Sequence, residues 1–152
     1  MFVPLKPYER KVYYYETDKM GIMHHSNYIK LFEEARIDFL EQVSFSLETI
    51  ESMGIMCPVI SVESHYKAPL KFNDTFVVHY KFSKFNGVFV EIQYKVVNKT
   101  TGEICNTGNS VQCYTDENMK PIRLKHKFHE VYELFEHYKN YDTSEVSAEF
   151  SA

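Results

Sequence analysis

The chain has 152 residues, of which 44% are hydrophobic and 16% aromatic, a length and composition suited to one folded domain rather than a disordered or low-complexity chain. Its formal net charge is −4 and no block of Lys or Arg stands out, which argues against nucleic acid as a partner, since binding there depends on neutralising phosphates. No apolar run nears the roughly 20 residues needed to span a bilayer, and Met1-Phe2-Val3-Pro4-Leu5-Lys6 lacks a signal peptide's apolar core, so a cytoplasmic protein is expected.

Tyr8 to Glu16, rich in Tyr and Val, reads as a first strand. Thr17-Asp18-Lys19-Met20-Gly21 reads as a turn in which Gly21 supplies a positive φ. From Asn27 to about Val43 the apolar period changes: Tyr28, Leu31/Phe32, Ala35, Phe39 and Val43 recur every three to four residues, with Lys30, Glu34, Asp38 and Glu41 opposite. That pattern predicts an amphipathic helix capped by Ser26 or Asn27. A short helix follows, opened by Ser46 with Glu48 in its first turn and closed by Gly54.

Four strands come next. Val59 to Lys67 alternates with Ile60, Val62 and Tyr66 on one face. Thr75 to Lys84 sets Phe76, Val78, Tyr80 and Phe82 against Val77, His79, Lys81 and Ser83. Asn86-Gly87 predicts a type I′ hairpin turn, and Val88, Val90, Ile92, Tyr94 and Val96 line one face of the returning strand. A last strand runs from Glu103 to Thr115. Leu124, Phe128, Val131/Tyr132 and Phe135 outline a C-terminal helix. Residues 1–140 are assigned to a single domain and 141–152 to a flexible tail. The order implies an α+β fold, one antiparallel sheet with a long early helix on one face. Cys57, Cys105 and Cys113, an odd number without a C-x-x-C pair, read as reduced packing residues.

The polar cluster least explained by periodicity is Tyr14 to Asn27, with a carboxylate in a glycine-containing loop and two histidines just before a helix. A helix start offers unpaired N–H groups and about half a positive charge. A carboxylate beside it suits hydrolysis of an activated acyl group, attacking the carbonyl or activating water while N–H groups hold the oxyanion. The bland alternative is an Asx-turn at Asp18. No second ligand pair accompanies the histidines, so no metal site is expected.

The run Tyr14 to Arg36, ending Asn27-Tyr28-Ile29-Lys30-Leu31-Phe32-Glu33-Glu34-Ala35-Arg36, resembles the signature of the 4-hydroxybenzoyl-CoA thioesterase family. It is most similar to the short acyl-CoA thioesterase branch often associated with bacterial Tol–Pal genes. The likeness continues through Tyr66-Lys67-Ala68-Pro69 and Asn73-Asp74, covering about residues 8 to 125; Asn73 departs from a common Gly, at a turn. The resemblance implies a hot-dog fold, a five-stranded antiparallel sheet wrapped around a long central helix. It implies hydrolysis of an acyl-CoA without a cofactor, with the catalytic carboxylate on Asp18 and with Tyr14 and His25 also lining the site. His24 is given no role. It further implies a homo-oligomer, often a dimer of dimers, with the site at the dimer interface. Asn27 is expected at the substrate, and Lys84, Lys67 and Lys71 are the cations expected to meet the CoA phosphates. The rival readings are a hydroxyacyl-thioester dehydratase and a non-catalytic acyl-thioester binding protein.

Overall fold

The apolar alternation of residues 75–98 builds the middle of a five-stranded antiparallel sheet in the computed structural model, which describes residues 2–144. The strands are β1 (Tyr8–Lys11), β2 (Val59–Tyr66), β3 (Thr75–Phe85), β4 (Phe89–Asn98) and β5 (Ile104–Cys113). Their spatial order is β1-β3-β4-β5-β2, every pairing antiparallel. The helices are α1 (Ser26–Gln42), α2 (Leu47–Ser52), α3 (Leu124–Lys127) and α4 (His129–Tyr138). This is the hot-dog arrangement, α1 held against the concave face of the sheet.

The predicted faces account for the core. Phe76, Val78, Tyr80 and Phe82 of β3 and Val90, Ile92, Tyr94 and Val96 of β4 are buried, as are Tyr28, Leu31, Phe32, Ala35 and Phe39 of α1. Burying each large apolar side chain contributes about 1.5–3 kcal/mol. Phe32 stacks on Tyr94 with ring centroids 4.2 Å apart. Gly108 of β5 lets α1 come this close: a Cβ there would lie 2.6 Å from the Phe32 ring and 2.5 Å from the Glu63 carbonyl oxygen.

Several boundaries differ from the sequence reading. The first strand stops at Lys11, and Tyr14–Glu16 form one 3-10 turn. The Glu16 carboxylate accepts the Tyr13 N–H and pairs with Arg10, folding the chain back. Neither Ser26 nor Asn27 caps α1; His25 occupies the N-cap position, and the His24 ring nitrogen accepts the Ser26 N–H. Ser46 does cap α2, and Gly54 follows with φ +80°. Asn86-Gly87 does not form a type I′ turn, which needs positive φ at both residues. Only Gly87 has it, while the Asn86 side chain accepts the N–H groups of Val88 and Phe89. The C-terminal helix is two pieces, interrupted at Phe128 (φ −136°, ψ 68°).

Residues 141–144, assigned by composition to the tail, are seated on the sheet. Asp142 pairs opposite Lys81, and buried Thr143 accepts the Tyr80 N–H, covering the part of the β3 edge that short β1 leaves open. Residues 145–152, the rest of that tail, lie outside the described residues. Of the cysteines, Cys105 and Cys113 are buried as expected, but Cys57 is exposed. No helix among the described residues is long and apolar enough to cross a membrane.

The opposite edge is unusual. β2 is exposed along almost all its length, including apolar Val59, Ile60, Val62 and Tyr66. Edge strands usually carry charge or are short, because open apolar edges invite pairing with another chain.

Candidate active site

The loop bearing Asp18 is built on a buried ion cluster. Glu16 is 4% exposed, and its two oxygens accept Arg10 Nη1 and Nη2, each at 2.8 Å. Arg10 also donates through Nε to Glu34 of α1 at 3.0 Å. Burial alone would raise the Glu16 carboxyl, but the Arg10 bonds and the Tyr13 N–H hold it below its ordinary 4.5. The Glu16 carbonyl then receives two donors, the His24 N–H at 2.8 Å and Asn27 Nδ2 at 2.9 Å. Two residues before Asp18, the loop is thereby clamped to the first turn of α1.

Asp18 closes a tight reversal. Its N–H donates to the Ile22 carbonyl, its carbonyl accepts the Gly21 N–H, and Gly21 has φ +78°. Oδ1 accepts the Met20 N–H at 2.8 Å, the Asx-turn bond. Oδ2 carries no hydrogen bond among the described residues, so turn formation occupies one carboxylate oxygen and leaves the other available.

The start of α1 is as selective. The Ser26 N–H is taken by His24 Nδ1, the Asn27 N–H by the His24 carbonyl, and the Tyr28 N–H by the His25 carbonyl. The His25 N–H alone in this stretch has no acceptor among the described residues. The sequence pointed to unpaired N–H groups at the helix start; the geometry narrows them to one among the described residues. The Tyr66 hydroxyl, at the end of β2, donates to the His25 carbonyl at 3.2 Å and so holds the following peptide, His25–Ser26.

Asp18 and His25 line one open groove of about 320 Å³, together with Met20, Tyr28, Tyr66 and Lys67. The His25 ring meets Tyr66 edge-on at 6.1 Å, and Tyr28 meets Tyr66 at 5.4 Å. Burial raises the Tyr28 phenol above its ordinary range, keeping it protonated and neutral.

The remaining predicted residues are spread out. Tyr14 is 76% exposed, edge-on to Phe72, and does not line the groove. Asn27 is buried and spends its side-chain N–H on the Glu16 carbonyl, a clamp rather than a groove wall. Lys71 lies beside the loop, where its backbone pairs with Ile22 and its N–H meets Asp74. Lys84 lies at the far end of β3, about 30 Å from Thr75 at roughly 3.3 Å per residue, within 3.9 Å of Glu91. Sequence reasoning missed Arg10, Glu16 and Tyr66, whose polar partners are distant in sequence. It also missed an inward polar stripe on β5, Asn106, Ser110 and Gln112, all buried. Their period of two was visible, but β5 had been given no inward face.

Comparison with known proteins bears on the family and the fold. The profile described as Thioesterase-like superfamily matches residues 12–149. YneP of Bacillus subtilis, provisionally named an acyl-CoA thioesterase, is 32% identical over 120 residues, 79% of this chain and 87% of that protein. The acyl-CoA thioesterase YbgC of Haemophilus influenzae is 26% identical over 126 residues, 80% of this chain and 92% of its own. A DHNA-CoA thioesterase structure from Staphylococcus aureus superposes with a TM-score of 0.80 at 30% identity, covering 94% of this chain and 91% of that one.

Proposed function

The chain belongs to the thioesterase-like superfamily, and from that premise we propose that it is an acyl-CoA thioesterase, releasing a free acid and CoA. The observation that carries this reading is the presence of two groups without a hydrogen-bond partner among the described residues, Asp18 Oδ2 and the His25 N–H, on residues lining one groove. The thioester carbonyl oxygen accepts the His25 N–H, assisted by the positive end of α1. Asp18 then either attacks the carbonyl carbon, giving an anhydride that water opens, or takes a proton from the attacking water. Both routes expel CoA thiolate, which is protonated to the thiol, and both return Asp18 to its carboxylate. The His25 ring orients the water or Asp18. Lys67, at the groove, is the cation best placed for the CoA phosphates, with Lys71 next. Tyr14 and Lys84 have no step in this reading. The Tol–Pal-associated branch remains our finer assignment, supported by the Asp18–Gly21–His25 spacing and the likeness to YbgC.

We also read the protein as a dimer joined through β2, itself pairing into dimers of dimers. Eight residues of open edge with exposed Val59, Ile60, Val62 and Tyr66 support it. The test of function is a panel of acyl-CoAs with a free-thiol assay. Thiol release supports hydrolysis; addition or loss of water without thiol points to a dehydratase, and binding without turnover to a carrier.

A further inference from the structure

A knob of aromatic side chains stands beside the Asp18 loop and has no step in the chemistry above. Tyr13, Tyr14 and Tyr15 follow one another at the 3-10 turn, all exposed, Tyr15 to 80%. Tyr13 stacks on Tyr15 with ring centroids 5.4 Å apart, while Tyr14 meets exposed Phe72 edge-on at 5.5 Å. Met20, 75% exposed, projects from the Asp18 turn that follows. The knob is firmly seated, because the Arg10 guanidinium that holds Glu16 also lies 4.3 Å from the centre of the Tyr13 ring. Single exposed apolar side chains are ordinary, but a cluster of them marks an interaction surface. A dimer joined through β2 does not cover it, since the turn follows β1, at the opposite edge of the sheet.

The surroundings are basic. Lys11, Lys19, Lys30, Lys67 and Lys71 are all exposed, and none forms an ion pair among the described residues. The same stretches, residues 11–30 and 66–74, hold three carboxylates. Glu16 is buried against Arg10, Asp74 accepts the Lys71 N–H, and Asp18 faces the groove. This end is therefore positive in a chain whose net charge is −4.

We infer that the knob and its lysines dock the protein on an anionic lipid bilayer. Tyr13 and Tyr15 point to one side of the turn and Tyr14 to the other, which makes the surface convex. A folded partner needs a socket of matching shape, whereas a headgroup layer deforms around a protrusion. Tyrosine suits that layer, having an apolar ring and a polar tip, and the Tyr14 and Tyr15 hydroxyls make no hydrogen bond among the described residues. Lysines near the surface add attraction to acidic headgroups, each strengthening binding about fivefold. Met20 and Lys67 also line the Asp18 groove, so docking sets the groove at the interface where long-chain acyl thioesters collect. That last step rests on the thioesterase reading; the docking itself does not.

The chain contains no Trp, so Tyr15→Trp places a single reporter on the knob. Its emission should shift to the blue with vesicles of phosphatidylglycerol and phosphatidylcholine in equal parts, and stay in place with phosphatidylcholine alone. In co-sedimentation with the mixed vesicles, Lys11→Glu/Lys19→Glu should bind at least about tenfold more weakly, and added salt should weaken the wild type by screening. Tyr14→Ser/Tyr15→Ser, which touches only exposed side chains, should also lose binding with its Tm unchanged. Where a long-chain acyl-CoA is hydrolysed, the mixed vesicles should raise its turnover in wild type and not in the serine variant. Equal binding to neutral vesicles, or sedimentation without a Trp shift, overturns the inference. Retention on immobilised poly-L-glutamate with no binding to vesicles also overturns it and makes the occupant an acidic polypeptide. Vesicle binding with no hydrolysis of any thioester supports the docking surface and overturns the thioesterase reading alone.

Discussion

Replacing Glu16 by Gln keeps the shape of the clamp beneath Asp18 and removes its charge. In the native protein Glu16 and Arg10 side chains are 5% and 10% exposed and joined by two bonds of 2.8 Å. Removing one partner of a buried pair costs about 3–5 kcal/mol, because the other charge is stranded. Arg10 keeps Glu34, whose side chain is 36% exposed, so the lower end, about 3 kcal/mol, applies. For a chain of this size that is a fall in Tm of roughly 6–12 °C. The sign of the pH effect follows from the lowered Glu16 carboxyl. Its stabilisation is fully present above the unfolded value near 4.5 and is lost as pH falls through the lower folded value. Wild type should therefore lose its advantage over Glu16→Gln as pH is lowered below about 4.5. Thermal melts of both proteins at pH 7, 5, 4 and 3 measure this. A Tm difference under about 2 °C at pH 7, or one that does not shrink in acid, would refute the argument that the ion cluster holds the loop.

Three further outcomes are expected. Gly108→Ala puts a methyl into the Phe32 ring and the Glu63 carbonyl oxygen, so it should cost about 1–3 kcal/mol in denaturant unfolding, as overpacking does; an unchanged midpoint would mean that α1 and β5 are not held this closely. His25→Ala should lower kcat/KM less than Asp18→Asn does, because the backbone N–H survives the change; unchanged kcat/KM on every thioester would make the ring structural. Sedimentation across a dilution series, with activity read on the same samples, should show activity falling as dimers dissociate; a fully active species of 18.0 kDa would contradict the shared site.

The parts of the fold legible in the sequence are those set by local periodicity. The 3.6-residue pattern from Tyr28 to Phe39 and the two-residue patterns of β3 and β4 each named their buried face correctly. What escaped depends on contacts between distant residues. Tyr8 to Glu16 has the composition of one long strand, but Arg10 pulls Glu16 back from across the loop and ends it. Asn27 looks like a helix cap or a ligand for substrate until the Glu16 carbonyl is found beside it. For Asp18, the Asx-turn reading holds at Oδ1, while Oδ2 is left without a hydrogen bond among the described residues. Which helix-start N–H stays unpaired was not readable at all, because it depends on where the His24 ring turns.

The central claim is that Asp18 carries the chemistry, and Asp18→Asn assayed by thiol release against the best acyl-CoA tests it most directly. Asn preserves the Oδ1 acceptor for the Met20 N–H, so the turn should survive and the Tm should hold. Turnover should fall at least about 100-fold, the loss typical of removing a base or nucleophile. A folded Asp18→Asn protein with near-normal kcat would contradict the account.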